Sequence, residues 1–289
     1  MKPVSFERGV AVLLFFLAVL APGLPSDARS PLFPDIESIR ERGELVVALV
    51  ARDEPPFFSV GPEGKLEGFS IRLAETIAQR LGVRVRYDRS AETYDELVAL
   101  LVSQRADVSL AGVTPTPRRS LQVRFTRPLV EASLTAVVNR VRGIAYRGCP
   151  TVAELGELAR RDKALGAVKE GATVSRLEAA VEGARIRTFA STLDAFGAAA
   201  QGKIVAAVGS EVEARYFLDR DPSRRLALAL CPFAALPDPL AIAVRPDAPG
   251  LVTWLDILLL DAGAPIPAEQ LVRKAGDWTF GWRDQFESR

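Results

Sequence analysis

The stretch YDELVALLVSQRADVSLAGVTPTPRR, residues 94–119, joins a helix pattern to a strand pattern and ends in a turn rich in threonine and proline. Thr93 and Glu96 form a capping box in front of apolar residues spaced three and four apart, which predicts a helix. The apolar run DVSLAG, residues 107–112, predicts a buried strand. A helix followed directly by a buried strand is the repeating unit of α/β folds, in which helices cover a mainly parallel sheet.

The segments before this stretch repeat the same alternation. ELVVALV, residues 44–50, predicts a buried strand, and FSIRLAETIAQRLG, residues 69–82, predicts an amphipathic helix that ends at its glycine. RVRY, residues 84–87, predicts the next strand. Strands and helices joined by short connections favour a parallel sheet flanked by helices.

The later part of the chain predicts a second lobe. The strand SLTAVVN, residues 133–139, is followed by the glycine-containing RVRGIAYRGCPT, and a new series of strands and helices then extends to LALAL. LAIAVR, residues 240–245, resembles SLTAVVN in its apolar character, so we expect the chain to return to the first lobe there. The expected organisation is a signal peptide, a first lobe, a second lobe and a return segment, at residues 1–28, 29–140, 141–238 and 239–289.

Composition and charge exclude several classes of function. The 37 basic and 36 acidic residues leave a formal charge of +1, so bulk electrostatics do not indicate a nucleic-acid partner. The chain contains no histidine, which excludes Ser-His-Asp and Cys-His catalysis and histidine metal sites. We expect no cofactor and no metal site.

The N-terminus has the pattern of a secretory signal. Lys2 and Arg8 precede an apolar run, residues 9–21, and small residues follow, with a cleavage site expected after Ala28. The apolar run at residues 251–260 is interrupted by an aspartate and is too short to cross a bilayer. We therefore expect an exported, periplasmic or extracytoplasmic monomer without a membrane span in the mature chain.

The turn AGVTPTPRR, residues 111–119, has the chemistry of a small-carboxylate site. Thr116 is placed to cap a short helix with Pro117 at its first position, which leaves Arg119 in the first turn. A guanidinium held in this way binds a carboxylate through two parallel hydrogen bonds. We expect the Thr114 hydroxyl and the loop amides from Gly112 onward to contribute further donors.

Several segments, in this order, resemble the bacterial extracellular solute-binding proteins of the polar amino-acid uptake type, family 3. The segments are residues 44–83, residues 94–119, FTRPL at residues 125–129 and AVKEGATV at residues 167–174. The resemblance implies the type II periplasmic-binding-protein fold, an α/β fold of two lobes with a ligand cleft at the hinge. It also implies capture of an amino acid or a related small carboxylate for an ABC permease.

The resemblance assigns roles to several positions. Arg119 and Thr114 match the residues that hold a ligand's α-carboxylate, and Thr173 matches a second-lobe residue that closes on the same group. Tyr94 matches an aromatic residue that stacks over the ligand. Glu54 falls where many relatives have another aromatic residue, and a charge there favours a ligand with a cationic portion.

The chain departs from the family at the residue that binds the ligand's α-ammonium. Where amino-acid binders carry an aspartate after a second-lobe strand, this chain has Ser210, followed by Glu211. Either Glu211, Glu213 or Glu54 replaces that aspartate, or the ligand is not a standard α-amino acid.

Two other functions fit the same resemblance. Periplasmic cyclohexadienyl (prephenate/arogenate) dehydratases share this fold, and SEVEARY followed by LALALC resembles their second lobe, which would make Glu213 a general acid. A ligand-sensing module on the same scaffold is a further alternative. A binding protein without enzymatic activity is the preferred interpretation.

The cysteines extend the prediction. In an exported protein Cys149 and Cys231 are either a disulfide or two buried thiols. If strands 133–139 and 240–245 run side by side as the two crossovers of this fold, both cysteines lie just beyond them in the second lobe. We therefore expect them to be bonded.

Overall fold

The computed structural model describes residues 32–141, 148–161, 164–169 and 172–273. The expected signal peptide, the Glu170–Gly171 part of the EGATV loop and the chain beyond residue 273 lie outside these ranges. Across the ranges, no helix combines the length and the apolar character needed to cross a membrane.

Strands account for the apolar runs of the sequence. The strands of the first lobe are β1 (Glu44–Val50), β2 (Ser59–Val60), β3 (Leu66–Glu67), β4 (Arg84–Ala91), β5 (Val108–Val113), β6 (Arg124–Glu131), β12 (Leu240–Val244) and β13 (Ile266–Pro267). Those of the second lobe are β7 (Ser133–Asn139), β8 (Leu165–Val168), β9 (Ile186–Phe189), β10 (Ala206–Ser210) and β11 (Leu228–Pro237).

The helices follow the same division. In the first lobe they are α1 (Pro34–Arg42), α2 (Phe69–Leu81), α3 (Tyr94–Val102), α4 (Pro117–Ser120), α10 (Pro249–Asp261) and α11 (Ala268–Arg273). In the second lobe they are α5 (Val152–Arg161), α6 (Ala172–Ala180), α7 (Thr192–Ala200), α8 (Glu211–Asp219) and α9 (Arg224–Ala227).

Two mixed sheets form the lobes. The first has the order β13-β6-β12-β5-β1-β4 and the second β11-β7-β10-β8-β9, while β2 and β3 form a small hairpin. The pairs β1–β4, β1–β5, β8–β9 and β8–β10 are parallel, as the alternation of helices and strands predicts. This is the two-lobed α/β architecture expected for a type II periplasmic-binding protein.

Local sequence signals explain where helices begin and end. Gly82 ends α2 with φ 72°, a left-handed conformation that costs glycine little. Thr93 caps α3 by accepting a hydrogen bond from the Glu96 amide at 3.1 Å. The Glu96 carboxylate accepts from the amide of Glu92 instead of Thr93, so the return half of the predicted capping box is shifted by one residue.

The strand at residues 133–139 lies in a different sheet from the one expected. β7 pairs with β10 and β11 in the second lobe, whereas β12 pairs with β5 and β6 in the first. The two strands are therefore not neighbours, and the first crossover falls at Ala132 instead of near residue 140. The expectation was wrong because β7 is buried along nearly its whole length, so its apolar sequence suits either sheet.

The two crossovers are nevertheless adjacent. The second lies between Pro237 and Leu240, and the Asp238 amide donates a hydrogen bond of 2.8 Å to the Ala132 carbonyl. The two connections between the lobes are thus joined by a direct hydrogen bond, and together they form a double-stranded hinge.

The cores and the disulfide complete the two lobes. The first lobe has one continuous apolar core, and the second has one on each face of its sheet, which include Leu177 and Phe196 respectively. Cys149 and Cys231 form a disulfide with a Cα–Cα distance of 5.2 Å, as expected. Cys231 lies on β11, which pairs with β7 and not with the returning strand.

Candidate functional site

A cleft between the lobes collects most of the predicted residues. The first lobe contributes Glu54, Phe57, Tyr94, Ala111, Gly112, Thr114 and Arg119, the second Val168, Ala172, Thr173, Thr192, Ser210 and Glu213, and the second crossover Asp238 and Leu240. The cleft lies at the carboxyl ends of β5, β8 and β10, where ligands bind in open α/β sheets.

Arg119 is held by the turn that precedes it. The Thr116 hydroxyl accepts a hydrogen bond of 3.2 Å from the Arg119 amide, with Pro117 at the first helical position, as the sequence predicts. The Arg119 side chain is 8% exposed, and its Nη1 donates to the Thr114 carbonyl at 3.2 Å. Burial lowers the pKa of Arg119 from its usual value, which indicates a desolvated cation facing the cleft.

Thr114 has a partner that the sequence did not indicate. Its hydroxyl donates to Asp238 Oδ1 at 3.0 Å, and Arg176 Nη1 donates to the same oxygen at 2.8 Å. Asp238 is 4% exposed; burial raises its pKa, although the Arg176 cation opposes that shift. Since the Thr114 proton is directed at Asp238, the hydroxyl presents lone pairs to the cleft in this arrangement.

Glu54 forms a buried acidic group at the other side of the cleft. Its Oε1 accepts hydrogen bonds from Arg52 Nη2 at 2.7 Å and from the Tyr94 hydroxyl at 2.9 Å. Its Oε2 is buried without a hydrogen-bond partner in the described part of the chain. Burial, opposed by the Arg52 cation, raises the pKa of Glu54 to about 7.

Tyr94 stands between the cationic and the acidic regions of the cleft. The Cζ atoms of Arg52 and Arg119 lie 5.4 Å and 5.6 Å from its ring centroid, within the range of cation–π contacts. Burial and the nearby Glu54 carboxylate raise the pKa of Tyr94 well above its ordinary value. Its hydroxyl therefore stays protonated and donates to Glu54.

Two glutamates in the first turn of α8 point to different places: Glu213 lines the cleft, and Glu211 contacts Ser133 beside the hinge. Glu213 is half-buried and lines the cleft, where burial and the neighbouring Glu54 carboxylate raise its pKa to about 8, opposed by a hydrogen bond with Thr192. Glu211 accepts hydrogen bonds from Arg215 Nε at 2.8 Å and the Ser133 hydroxyl at 3.1 Å. Glu211 is therefore not among the residues that line the cleft, whereas Glu213 is.

Three smaller groups complete the lining. The Ser210 hydroxyl is buried and has no hydrogen-bond partner among the described residues. Thr173 lies in the first turn of α6, directly after the part of its loop that is not described. Gly112 has φ 65°, a conformation that favours glycine, and a side chain there would meet the Phe57 ring.

Sequence reasoning missed Phe57, Thr192 and Asp238 as cleft residues. Thr192 begins α7 and Asp238 lies in a crossover, so their positions depend on how distant segments pack. The FF pair after DEPP was a visible signal for Phe57, but nothing local indicated which of the two aromatic rings faces the cleft.

The charged and polar groups of the cleft are side chains of the protein. In the described part of the chain, no cluster of three or more histidine, cysteine, aspartate or glutamate side chains is arranged to hold a metal ion. The lining combines one desolvated guanidinium, three carboxyl groups of raised pKa and two polar atoms without a hydrogen-bond partner in the described part of the chain, which suits a small zwitterion.

The chain belongs to the bacterial extracellular solute-binding proteins, family 3, whose model matches residues 46–264. It is 27% identical to the ABC transporter arginine-binding protein 1 of Escherichia coli strain K12, over 80% of this chain and 88% of that protein. It is 31% identical to the L-cystine-binding protein TcyJ of the same strain, over 43% of this chain and 47% of that protein. The match thus spans about half the length of the cystine-binding protein.

A solved structure is similar over a larger part of its length. The crystal structure of the ancestral amino acid-binding protein AncCDT-1, described as a precursor of cyclohexadienyl dehydratase, has a TM-score of 0.69 and 26% identity. The similarity covers 83% of this chain and 98% of that chain. All three relatives are described as binding proteins, and AncCDT-1 shares the fold of this chain.

Proposed function

We propose that this protein captures an amino acid with a cationic side chain in the cleft between its lobes and presents it, as a monomer outside the cytoplasm, to an ABC permease. The observation that carries this proposal is the charge distribution of the cleft. Arg119 contributes a cation to the lining, and Glu54 and Glu213 contribute carboxyl groups that are not paired with Arg119. A ligand with a carboxylate at one end and cations at the other complements this arrangement.

The ligand's groups can be assigned to particular side chains. The carboxylate contacts Arg119 and Thr173, which come from opposite lobes. Tyr94 packs against the carbon chain, and the cationic groups contact the unpartnered Oε2 of Glu54 and the Glu213 carboxylate. Because each lobe supplies part of the site, ligand binding favours closure about the hinge, and closure is what a permease recognises.

The relatives support an amino-acid ligand in particular. Arginine and cystine are named in the descriptions of two of them, and an amino acid in that of AncCDT-1. The acidic region distinguishes among these ligands because a neutral side chain would leave Glu54 Oε2 facing the ligand without a cation.

A ligand screen tests this function. Arginine, lysine, cystine, glutamine, glutamate and octopine are titrated into the purified protein and followed by calorimetry, with ligand removed beforehand by unfolding and refolding under oxidising conditions. We expect arginine or lysine to bind at least about tenfold more tightly than glutamine, since a lost charge-assisted bond costs that much or more. Preferential binding of glutamate or glutamine would contradict the proposal.

A dehydratase is the second candidate. Two observations favour it: the raised pKa of Glu213, which keeps a proton available near neutral pH, and the similarity to a precursor of cyclohexadienyl dehydratase. Incubation with prephenate and arogenate distinguishes the candidates. Release of phenylpyruvate or phenylalanine that disappears in Glu213→Gln would establish the enzyme, whereas we expect only the spontaneous rate.

A further inference from the structure

Two carboxyl groups from opposite lobes share one cleft. Glu54 belongs to the segment before β2 in the first lobe, and Glu213 lies in the first turn of α8 in the second. They are close enough for the charge of Glu54 to disfavour ionisation of Glu213. Two ionised carboxylates brought together by lobe closure repel each other unless a cation or a proton compensates them.

The surrounding charges are distributed unequally between the two groups. Glu54 is bonded to Arg52 and lies in the field of Arg89. Glu213 is hydrogen-bonded with Thr192, feels Arg52 only at longer range, and faces the repelling Asp238. Among the described residues, no salt bridge is formed by Glu213.

The other charged groups near α8 are paired with residues other than Glu213. Arg215 is paired with Glu211 at 2.8 Å and more distantly with Glu269 of α11. Asp238 is paired with Arg176 at 2.8 Å. The remaining titratable neighbour, Tyr94, donates a hydrogen bond to Glu54. Of the carboxyl groups that line the cleft, Glu213 is therefore the one left without a direct cationic partner in the described structure.

We propose that Glu213 exchanges its proton for a positive charge of the ligand, so that the cleft selects ligands by their charge in a pH-dependent way. A ligand with two cationic groups, such as arginine, pairs with both Glu54 and Glu213 and displaces the proton. A ligand with one cationic group binds while Glu213 stays protonated. This inference rests on the proposed function and adds a mechanism of selectivity to it.

The protonation equilibria support this exchange. With pKa values of about 8 for Glu213 and about 7 for Glu54, the pair retains protons at neutral pH. Below this range the carboxyl pair must release its protons when arginine binds, so arginine affinity rises with pH and levels off above the pKa values of the pair. Citrulline matches arginine in shape but has no side-chain charge, so it pairs with Glu54 alone and leaves the proton of Glu213 in place.

The test is calorimetric titration with arginine and citrulline at about pH 6 and about pH 8, each in two buffers of different ionisation enthalpy, which reports the protons exchanged. At the lower pH we expect arginine binding to release on the order of one proton more than citrulline binding, because only arginine displaces the proton of Glu213. Between the two pH values the arginine affinity should rise at least about tenfold more than the citrulline affinity does.

Three variants separate a charge-exchange role from a structural one. In Glu213→Gln the pH dependence of arginine affinity and the number of protons released should fall to the values found for citrulline. Thr192→Val removes a hydrogen bond that favours ionised Glu213, so the arginine profile should move to higher pH. Glu157→Gln changes an exposed glutamate of α5 and should leave both profiles unchanged.

The outcomes also separate this inference from the proposed function. Tight arginine binding without proton release, or with the same pH profile in Glu213→Gln, would overturn the exchange and leave the function intact. If no amino acid binds, the proposed function fails. The pH dependence of the unfolding temperature of the ligand-free proteins then shows whether Glu213 holds a proton. A carboxyl protonated in the folded state but ionised in the unfolded state lowers stability as pH rises from about 4 towards 8. An equal fall in unfolding temperature in wild type and Glu213→Gln would then refute the proton on Glu213.

Discussion

The side chain of Arg119 is held in place by its own lobe and also lines the cleft. Its amide is bonded to Thr116, its Nη1 to the Thr114 carbonyl, and its Nη2 lies 3.8 Å from Asp95. The planar guanidinium is therefore oriented before a ligand arrives, and little side-chain entropy remains to be lost on binding.

Replacing Arg119 with lysine keeps the charge and removes the fork-like geometry. We expect arginine affinity to fall by about ten- to a hundredfold in Arg119→Lys, because a single ammonium cannot form two parallel bonds to a carboxylate. Arg118→Lys is the matched control, since Arg118 is 80% exposed and lies one residue away. Equal losses in both variants, measured by calorimetry, would show that Arg119 has no specific contact.

The site could be predicted from sequence where its residues follow strands of clear pattern. Gly112, Thr114 and Arg119 come directly after β5, so the strand pattern and the turn chemistry together indicated a site. The Glu211 prediction depended on one turn of α8, and the direction of each side chain there is set by Arg215 and Ser133. Such tertiary contacts cannot be read from local periodicity.

At the scale of elements, β10 and α7 approach each other closely at Gly209. A Cβ atom at that position would lie 2.4 Å from Thr192 Cγ2 and 3.1 Å from the Phe196 ring. Thr192 also lines the cleft. The absence of a side chain on β10 therefore helps to position a residue of the candidate site.

Two alanine substitutions test this close approach. Gly209→Ala should lower the free energy of unfolding by about 1–3 kcal/mol through overpacking and should weaken ligand binding by displacing Thr192. Gly197→Ala, within α7, has open space around the added methyl group and should raise stability by about 0.5–1 kcal/mol. Chemical denaturation compares the two variants. A stable Gly209→Ala would mean that β10 and α7 move apart easily.

The identity and order of the elements could be predicted, but the sheet to which β7 belongs could not. Periodicity located β1, α2 and α3 closely because each has one buried pattern and clear boundaries. β7 follows β6 after Ala132 alone, and β7 is buried along nearly its whole length. Sheet membership depends on partners far away in sequence, which a local pattern does not identify.

At the scale of the whole molecule, Asp238 connects three parts of the structure. Its amide bonds to Ala132 of the other crossover, and its carboxylate accepts from Thr114 of the first lobe and Arg176 of the second. Because these bonds meet at one buried residue, the contact between the lobes depends on Asp238.

Asp238→Asn should favour the open state. The amide oxygen can keep hydrogen bonds, but Arg176 loses its buried counter-charge, a loss of on the order of 1–3 kcal/mol. We expect several-fold faster ligand dissociation and a larger radius of gyration by X-ray scattering at the same ligand concentration. Glu63→Gln removes the charge of an exposed pair with Lys65 and serves as the control. Identical scattering from Asp238→Asn and wild type would contradict this role of the hinge.

The Cys149–Cys231 bond makes most of the second lobe a covalent ring. The bridged residues are 82 positions apart, and β8, β9, β10 and α5 to α9 all lie between them. A protease that cuts once inside this ring leaves one connected molecule of unchanged mass on a non-reducing gel, whereas a cut elsewhere releases a fragment. The same disulfide also joins β11 to the segment before α5. β11 leads back to the hinge, and it stays attached to that segment after the chain between them has been cut.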